Sequence, residues 1–203
     1  EWQEDLKKTI NFSPPHISIY DLNIENGTVF KKLIALGKLQ LPSDDDAFRN
    51  SESTNFILKG SGYSRYEISN YCLPGHQSRH NRVYWTGLGW WSFGQGSTSS
   101  PWGEKFTRPR ISKEYKKWVI NQCENSLDSS LVNKGFLYRE LDEKIMLGMR
   151  LREGVDIYKL FEEQNWEKKE FEINLKGLLK EWEMYLESGL LIRNGNRFFL
   201  SDP

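Results

Sequence analysis

Trp2, Leu6 and Ile10 recur four residues apart, which predicts an amphipathic helix ending near Asn11. After Pro14-Pro15 the pattern changes to alternation. Ile17, Ile19 and Asp21 share one face and Ser18, Tyr20 and Leu22 the other, which predicts a strand over His16–Leu22. An apolar run that closes on Asp21 reads as a buried parallel strand with a polar C-terminal end. Thr28–Leu36 predicts a short helix with Phe30, Leu33 and Ile34 inward, stopped by Gly37. Ser43 is placed to cap a longer helix that carries Phe48, Phe56 and Ile57 and stops at Gly60. Asp44–Asp46 then suit the positive first turn of that helix, although an acid run also has the composition of a metal site. Ser64–Ser69 alternates again, with Ser64, Tyr66 and Ile68 opposite Arg65, Glu67 and Ser69. Asn70–Gln77, with Pro74-Gly75, reads as a turn or loop.

From Ser112 onward the period is helical. Ser112–Glu124 carries Tyr115, Trp118 and Val119; Tyr138–Arg152 carries Leu141, Ile145, Met146 and Met149 and stops at Gly154. A short helix holds Leu160 and Phe161. A long one spaces Phe171, Leu175, Leu178, Trp182 and Leu186 at about one turn and closes at Gly189. Leu190–Arg193 and Arg197–Leu200 flank Asn194-Gly195-Asn196, a hairpin signal. The fold class is therefore α/β. Residues 1–109 read as the closing part of an incomplete (β/α) barrel, Thr107–Arg110 as an extended bridge, and 110–203 as a mainly helical, winged-helix-like domain.

Composition narrows the function. At 203 residues the chain can bury one core or two small ones. Acidic and basic residues balance at 28 each. From Arg110 on, 16 basic residues face 17 acidic ones, so a winged-helix nucleic-acid module lacks its electrostatic footprint. No apolar run approaches the roughly 20 residues of a membrane span, and no basic-then-apolar signal pattern is present. Cys72 and Cys123 are too few for a disulfide framework, which suits a reducing, cytoplasmic setting. Eight tryptophans and eleven phenylalanines fit either an aromatic core or a flat pocket for a planar ligand. Glu1-Trp2 already lies in a helical pattern, so the chain is expected to be part of a longer protein.

The chemistry-bearing residues concentrate in Gly62–Trp85, which holds two of the three histidines. His76, His80, Asn81, Tyr84 and Trp85 follow a strand, where α/β proteins keep ligand sites. On spacing alone, Tyr84 and Trp85 fit core aromatics as well as a ligand pocket. Further on, Gly94-Gln95-Gly96 lets backbone approach a ligand, and Ser97, Thr98, Ser99 and Ser100 offer hydroxyls.

The stretch Gly62–Trp85 resembles the HemN/HemW family of radical S-adenosylmethionine (SAM) proteins, the oxygen-independent coproporphyrinogen oxidases and their haem-chaperone relatives. Every fixed position of the pattern G-Y-x-x-Y-E-I-S-N-x-x-x-P-G-x-x-S-x-H-N-x-x-Y-W is matched. Its tail, His80-Asn81-x-x-Tyr84-Trp85, is similar to the HNxxYW signature of the HemW-type branch. HISIYDLNIENGT resembles the sixth strand of the family's barrel, which places Asp21, Leu22 and Asn23 beside SAM. Gly94-x-Gly96 resembles the G-x-G-A-x-S segment near adenosine, with Ser97 where alanine is usual and Thr98 at a SAM-touching position. Asn23 and Thr98 are accordingly expected close together. LGMRLREGVD resembles the motif L-G-L-R-x-x-x-G-V of the family's C-terminal domain.

The resemblance implies a C-terminal part of a radical SAM barrel and a haem chaperone that passes haem to acceptor proteins. His80 is the implied axial ligand of the haem iron, with Tyr84 and Trp85 against the porphyrin plane and Asn81 beside them. The alternative for His80 is a hydrogen bond that shapes its own segment. The alternative activity is oxidative decarboxylation of coproporphyrinogen III to protoporphyrinogen IX, with Arg65, Arg79, Arg82, Arg108 and Arg110 available for propionates. Either activity implies SAM and a [4Fe–4S] cluster on a C-x3-C-x2-C loop. Cys72 and Cys123 cannot form that loop, so it is expected upstream of Glu1, and this chain alone is expected to be inactive. A homodimer is left open.

Overall fold

The computed structural model describes residues 1–101, 103–124 and 140–202. The chain divides into two compact units, Glu1–Gln77 with the chain end from Ser201, and Ser78–Leu200.

In the first unit the expected helix forms as α1 (Trp2–Asn11), and its Leu6 is buried. Helix α3 (Asp44–Gly60) starts as the sequence predicts, with a full capping box. Ser43 Oγ accepts from Asp46 N–H at 3.2 Å and Ser43 N–H donates to Asp46 Oδ2 at 3.3 Å. Asp44–Asp46 thus serve the helix start, and no cluster of metal-binding side chains occurs among the described residues. The residues that α3 buries are not the apolar ones read from the sequence. Thr54 and Leu58, one turn apart, are its buried residues, whereas Phe48 and Phe56 are exposed. The α1 Trp2 indole donates to Thr54 Oγ1 at 2.9 Å. In α2 (Val29–Ala35), Leu33 and Ile34 are half-buried but Phe30 is exposed.

The strands of this unit are shorter than predicted and antiparallel. β1 is His16–Ser18, β2 is Ser64–Glu67 and β3 is Asn70–Cys72, in the order β1-β3-β2. The central strand is the segment that Pro74-Gly75 marked as a loop. The chain in fact reverses earlier, at Ile68-Ser69, in the turn between Glu67 and Asn70. The reason lies in a register shift between Arg65 and Glu67. The shift breaks strict alternation, so both Tyr66 and Glu67 are buried. The Glu67 carboxylate accepts the Ser69 N–H at 3.0 Å and an Asn70 side-chain N–H, and the Arg65 guanidinium donates to the Ile68 carbonyl at 2.6 Å. Leu58, Tyr63, Ile17 and Tyr71 form the core of the unit.

The second unit contains α4 (Arg79–Trp85), a ribbon of β4 (Thr98–Ser99) with β5 (Phe106–Thr107), and α5 (Ser112–Glu124). Then come α6 (Leu141–Gly148), β6 (Val155–Asp156), α7 (Ile157–Glu162), α8 (Lys168–Glu187), β7 (Leu191–Asn194) and β8 (Arg197–Leu200). The helical pattern is realised closely. Phe171, Leu175, Leu178, Trp182 and Leu186 all turn α8 onto a core centred on Phe198, Ile157 and Phe161. Phe198 is fully buried and packs edge-on to Trp182 at 5.3 Å; truncating such a ring costs about 3–5 kcal/mol. The Asn194–Asn196 hairpin forms as predicted, with Asn194 paired to Arg197. The predicted helix from Tyr138 begins at Leu141, since residues 138–139 lie outside the described ones, and it ends at Gly148. A Cβ at Gly148 would lie 2.2 Å from Val155 Cγ1, so this close approach requires glycine. The short strand β6 was not predicted. It pairs with β8 and gives a sheet of order β6-β8-β7. All strand pairings among the described residues are antiparallel and no barrel closes.

Candidate functional site

His80, Asn81, Tyr84 and Trp85 lie on the helix α4, just past the segment expected to be a loop. Ser78 caps α4 by accepting the Asn81 N–H at 3.2 Å, a hydroxyl at the N-cap position doing what the residue type favours. Helical spacing then brings His80 and Tyr84 together at i, i+4. The Tyr84 hydroxyl lies 2.8 Å from His80 Nε2, and the rings meet edge-on with centroids 4.9 Å apart. His80 is exposed and Asn81, Tyr84 and Trp85 are half-buried. Tyr84 also packs against Trp90, 5.0 Å away. His76 is exposed and its N–H donates to the Leu73 carbonyl.

Two contacts tie this helix to the LGMRLREGV segment, about seventy residues on. Arg82 grips the Glu153 carboxylate with two nitrogens, one at 3.2 Å. The Arg150 guanidinium lies 4.6 Å over the Trp85 ring. The Trp85 indole nitrogen and Arg150 Nε are buried with no acceptor among the described residues. Beside them opens a cavity of about 490 Å³, walled by Trp85, Leu151, Val155 and Leu160 and edged by charged side chains.

The glycine-rich segment is built differently. Gly94 and Gly96 have φ of +96° and +67°. A Cβ at Gly94 would meet nothing within 4 Å, so the backbone there is open to a ligand. The hydroxyls that follow are mostly committed. Ser97 Oγ donates to the Gly94 carbonyl at 2.7 Å, and Thr98 Oγ1 meets Thr107 Oγ1 at 2.7 Å. Ser99 and Ser100 are fully buried within the ribbon. Arg108, at 6 % exposure, donates to Ser99 Oγ at 2.8 Å between the rings of Phe106 and Trp118. Asn23 is exposed after β1 in the first unit, whereas Thr98 is in the second.

Of the arginines proposed for propionates, Arg65 holds carbonyls of its own turn, Arg82 holds Glu153, and Arg108 is buried. Arg79 and Arg110 are exposed. The pairs Arg82–Glu153 and Trp85–Arg150 were not read from the sequence; the signal available was that both partners fall inside recognised motifs. The thiols also diverge. Cys72 is buried, which pushes its pKa up, and Cys123 is exposed in α5. They do not provide three thiolates, so the residues of this chain do not fit a [4Fe–4S] cluster.

The family model of the HemN C-terminal domain matches residues 139–203. The chain is similar to "Heme chaperone HemW" of Synechocystis sp., 38% identical over 161 residues, covering 76% of this chain and 37% of that protein. It is similar to the protein of the same name from Lactococcus lactis, 30% identical over 157 residues, covering 77% and 40% respectively. The chain thus spans well under half the length of these relatives. The solved structure titled "Coproporphyrinogen III oxidase (HemN) from Escherichia coli is a Radical SAM enzyme" superposes with a TM-score of 0.60 at 13% identity. The match covers 97% of this chain and 46% of that one. The chain belongs to the HemN/HemW family of radical SAM proteins.

Proposed function

We propose that the protein containing this chain binds haem and passes it to acceptor proteins; the relatives it resembles are named haem chaperones. The observation that carries this reading is the α4 site. His80, Tyr84 and Trp85 stand on one short helix, locked to the LGMRLREGV segment by Arg82–Glu153 and Trp85–Arg150. His80 supplies the axial imidazole, and Tyr84 and Trp85 supply ring surfaces for the macrocycle. The Tyr84 hydroxyl occupies Nε2 in the unliganded chain, so iron competes with a hydrogen bond of about 1 kcal/mol.

SAM would be held beside the open backbone at Gly94, with Gly96, Thr98 and Asn23 as the further residues proposed to contact it. The cluster that supplies radical chemistry in this superfamily would come from cysteines other than those of this chain. Residues 1–109 are proposed as barrel part and 110–203 as the winged-helix-like part. No helix among the described residues is long and apolar enough to cross a membrane, and a cytoplasmic setting is part of the proposal. The likeness in fold to HemN favours a second reading, a coproporphyrinogen III oxidase. Haem titration against coproporphyrinogen turnover by the whole protein separates the two.

The test of the site is spectroscopic. His80→Ala is expected to shift the haem absorption spectrum, because a metal–ligand bond is lost. Tyr84→Phe is expected to keep the spectrum and tighten binding about fivefold, the equivalent of the freed hydrogen bond. An unchanged spectrum in His80→Ala rejects the ligand role and leaves α4 as scaffold.

A further inference from the structure

The cavity beside Trp85 has a charge balance that the haem reading does not use. Of its acidic edge residues, Glu153 is neutralised by Arg82 and Glu163 by Lys144 at 3.1 Å. Asp156 accepts the backbone N–H of Lys159 at 3.1 Å as the cap of α7. Two cations remain. No carboxylate pairs with Lys159 among the described residues. Arg197 spends its nitrogens on the carbonyls of Glu153 and Gly154, at 3.0 and 3.2 Å, and keeps its charge. The buried Trp85 indole N–H adds a donor without an acceptor. A pocket with apolar walls, surplus positive charge and an orphaned donor selects an anion attached to an apolar body.

We propose that this cavity receives the carboxylate side chains of a porphyrin, with Lys159 as the main counter-charge and the Trp85 N–H as a hydrogen-bond donor. The inference rests on the haem reading of α4 and extends it to a second contact. His80 and Trp85 are five residues apart, about 7.5 Å along the helix axis. Tyr84 lies between them around the helix, so one macrocycle that touches both runs along its side. The volume of about 490 Å³ is in the range of small-molecule sites.

The experiment removes iron from the problem. Metal-free protoporphyrin IX and its dimethyl ester are titrated into the protein, with binding followed by porphyrin fluorescence. Neither probe can be ligated by an imidazole, so only ring and side-chain contacts are read. The free acid is expected to bind about tenfold more tightly than the ester, a difference of about 1.4 kcal/mol. Lys159→Gln should weaken the free acid about tenfold and leave the ester unchanged. Trp85→Phe, which keeps a ring and removes the donor, should act in the same sense and more weakly. Lys176→Gln, an exposed lysine on α8, should change neither. Equal affinity for acid and ester, or equal loss of both in Lys159→Gln, overturns the inference. If haem then still binds with a spectrum that depends on His80, the haem reading stands without this cavity. Failure of haem and both porphyrins to bind overturns the two together.

Discussion

The stretch Gly62–Trp85 is continuous in sequence, yet its halves have opposite characters. Up to Cys72 its buried polar groups are hydrogen-bonded to other side chains or to backbone. The Tyr63 hydroxyl donates to the Pro14 carbonyl at 2.6 Å, and Tyr66 meets His16 at 2.9 Å. Ser18 donates to the Asn70 side-chain oxygen at 2.5 Å while Asn70 donates to Glu67. After Gln77 the motif leaves His80 exposed and the Trp85 indole nitrogen buried without an acceptor. A closed network specifies a fold; open donors and exposed rings await something else. The same family motif therefore carries a scaffold half and the half proposed as the site, and a match along its length does not separate them.

The largest expected effect tests the scaffold half. Asn70→Ala removes the bridge between Ser18 and Glu67 and takes one of two donors from a carboxylate that is 1 % exposed, the Ser69 N–H remaining. Removing a donor from a buried charged group should cost roughly 2 kcal/mol. Urea unfolding measures it. A loss below about 0.5 kcal/mol, the size of an ordinary surface change, would show that the Glu67 network is not what fixes the β2–β3 turn.

What the sequence made legible follows from the range of the interactions involved. Helix α8 was readable because its five core residues repeat at the helical period and need no partner to be recognised. The Ser43 cap was readable for the same reason: donor and acceptor are three residues apart. The β2–β3 turn was misplaced because Pro74-Gly75 is a stronger local signal than Ile68-Ser69. What moves the turn is the burial of Glu67, a tertiary fact. Phe30 was assigned inward on hydrophobicity but is exposed, and α3, read from the sequence by Phe48, Phe56 and Ile57, buries Thr54 and Leu58 against α1 and the sheet. The functional motifs were visible as words. Their joining through Arg82–Glu153 and Trp85–Arg150 was not, since residues 71 and 65 positions apart share no local period.

A middle-sized effect sharpens the site half. Arg82 and Glu153 are part-exposed, at 29% and 41% of their side-chain surface, so their coupling should be modest even with two-point geometry. A double-mutant cycle with Arg82→Ala and Glu153→Ala should give about 0.5–1 kcal/mol. It should do so while Arg82→Ala weakens haem binding, because α4 loses one of its two anchors. Coupling with no change in haem affinity would place the pair with the scaffold.

The smallest effect concerns a polar network that is closed but lies at the surface. Asp46 accepts from the Ser43 hydroxyl at 2.7 Å and from Arg49 at 2.7 Å. These bonds favour the ionised carboxylate, the Ser43 hydroxyl most, and lower its pKa from 3.8 to about 2. A folded-state pKa below the unfolded one means the unfolded chain binds the proton first as pH falls. The stabilisation from Asp46 is therefore complete above its unfolded pKa and is lost as pH drops from about 3.8 through about 2. Because the group is fully exposed, water screens the gain, and the effect should show in titration more clearly than in melting. Carbon-detected NMR of the Asp46 carboxyl should give an apparent pKa near 2. In Ser43→Ala, which removes the leading donor, it should move up toward the ordinary aspartate value. A normal pKa in the parent chain would mean that the capping box is not held in solution. A surface network can then be open even where every partner is in place, and closure of the Glu67 network would have to be credited to burial rather than to its list of bonds.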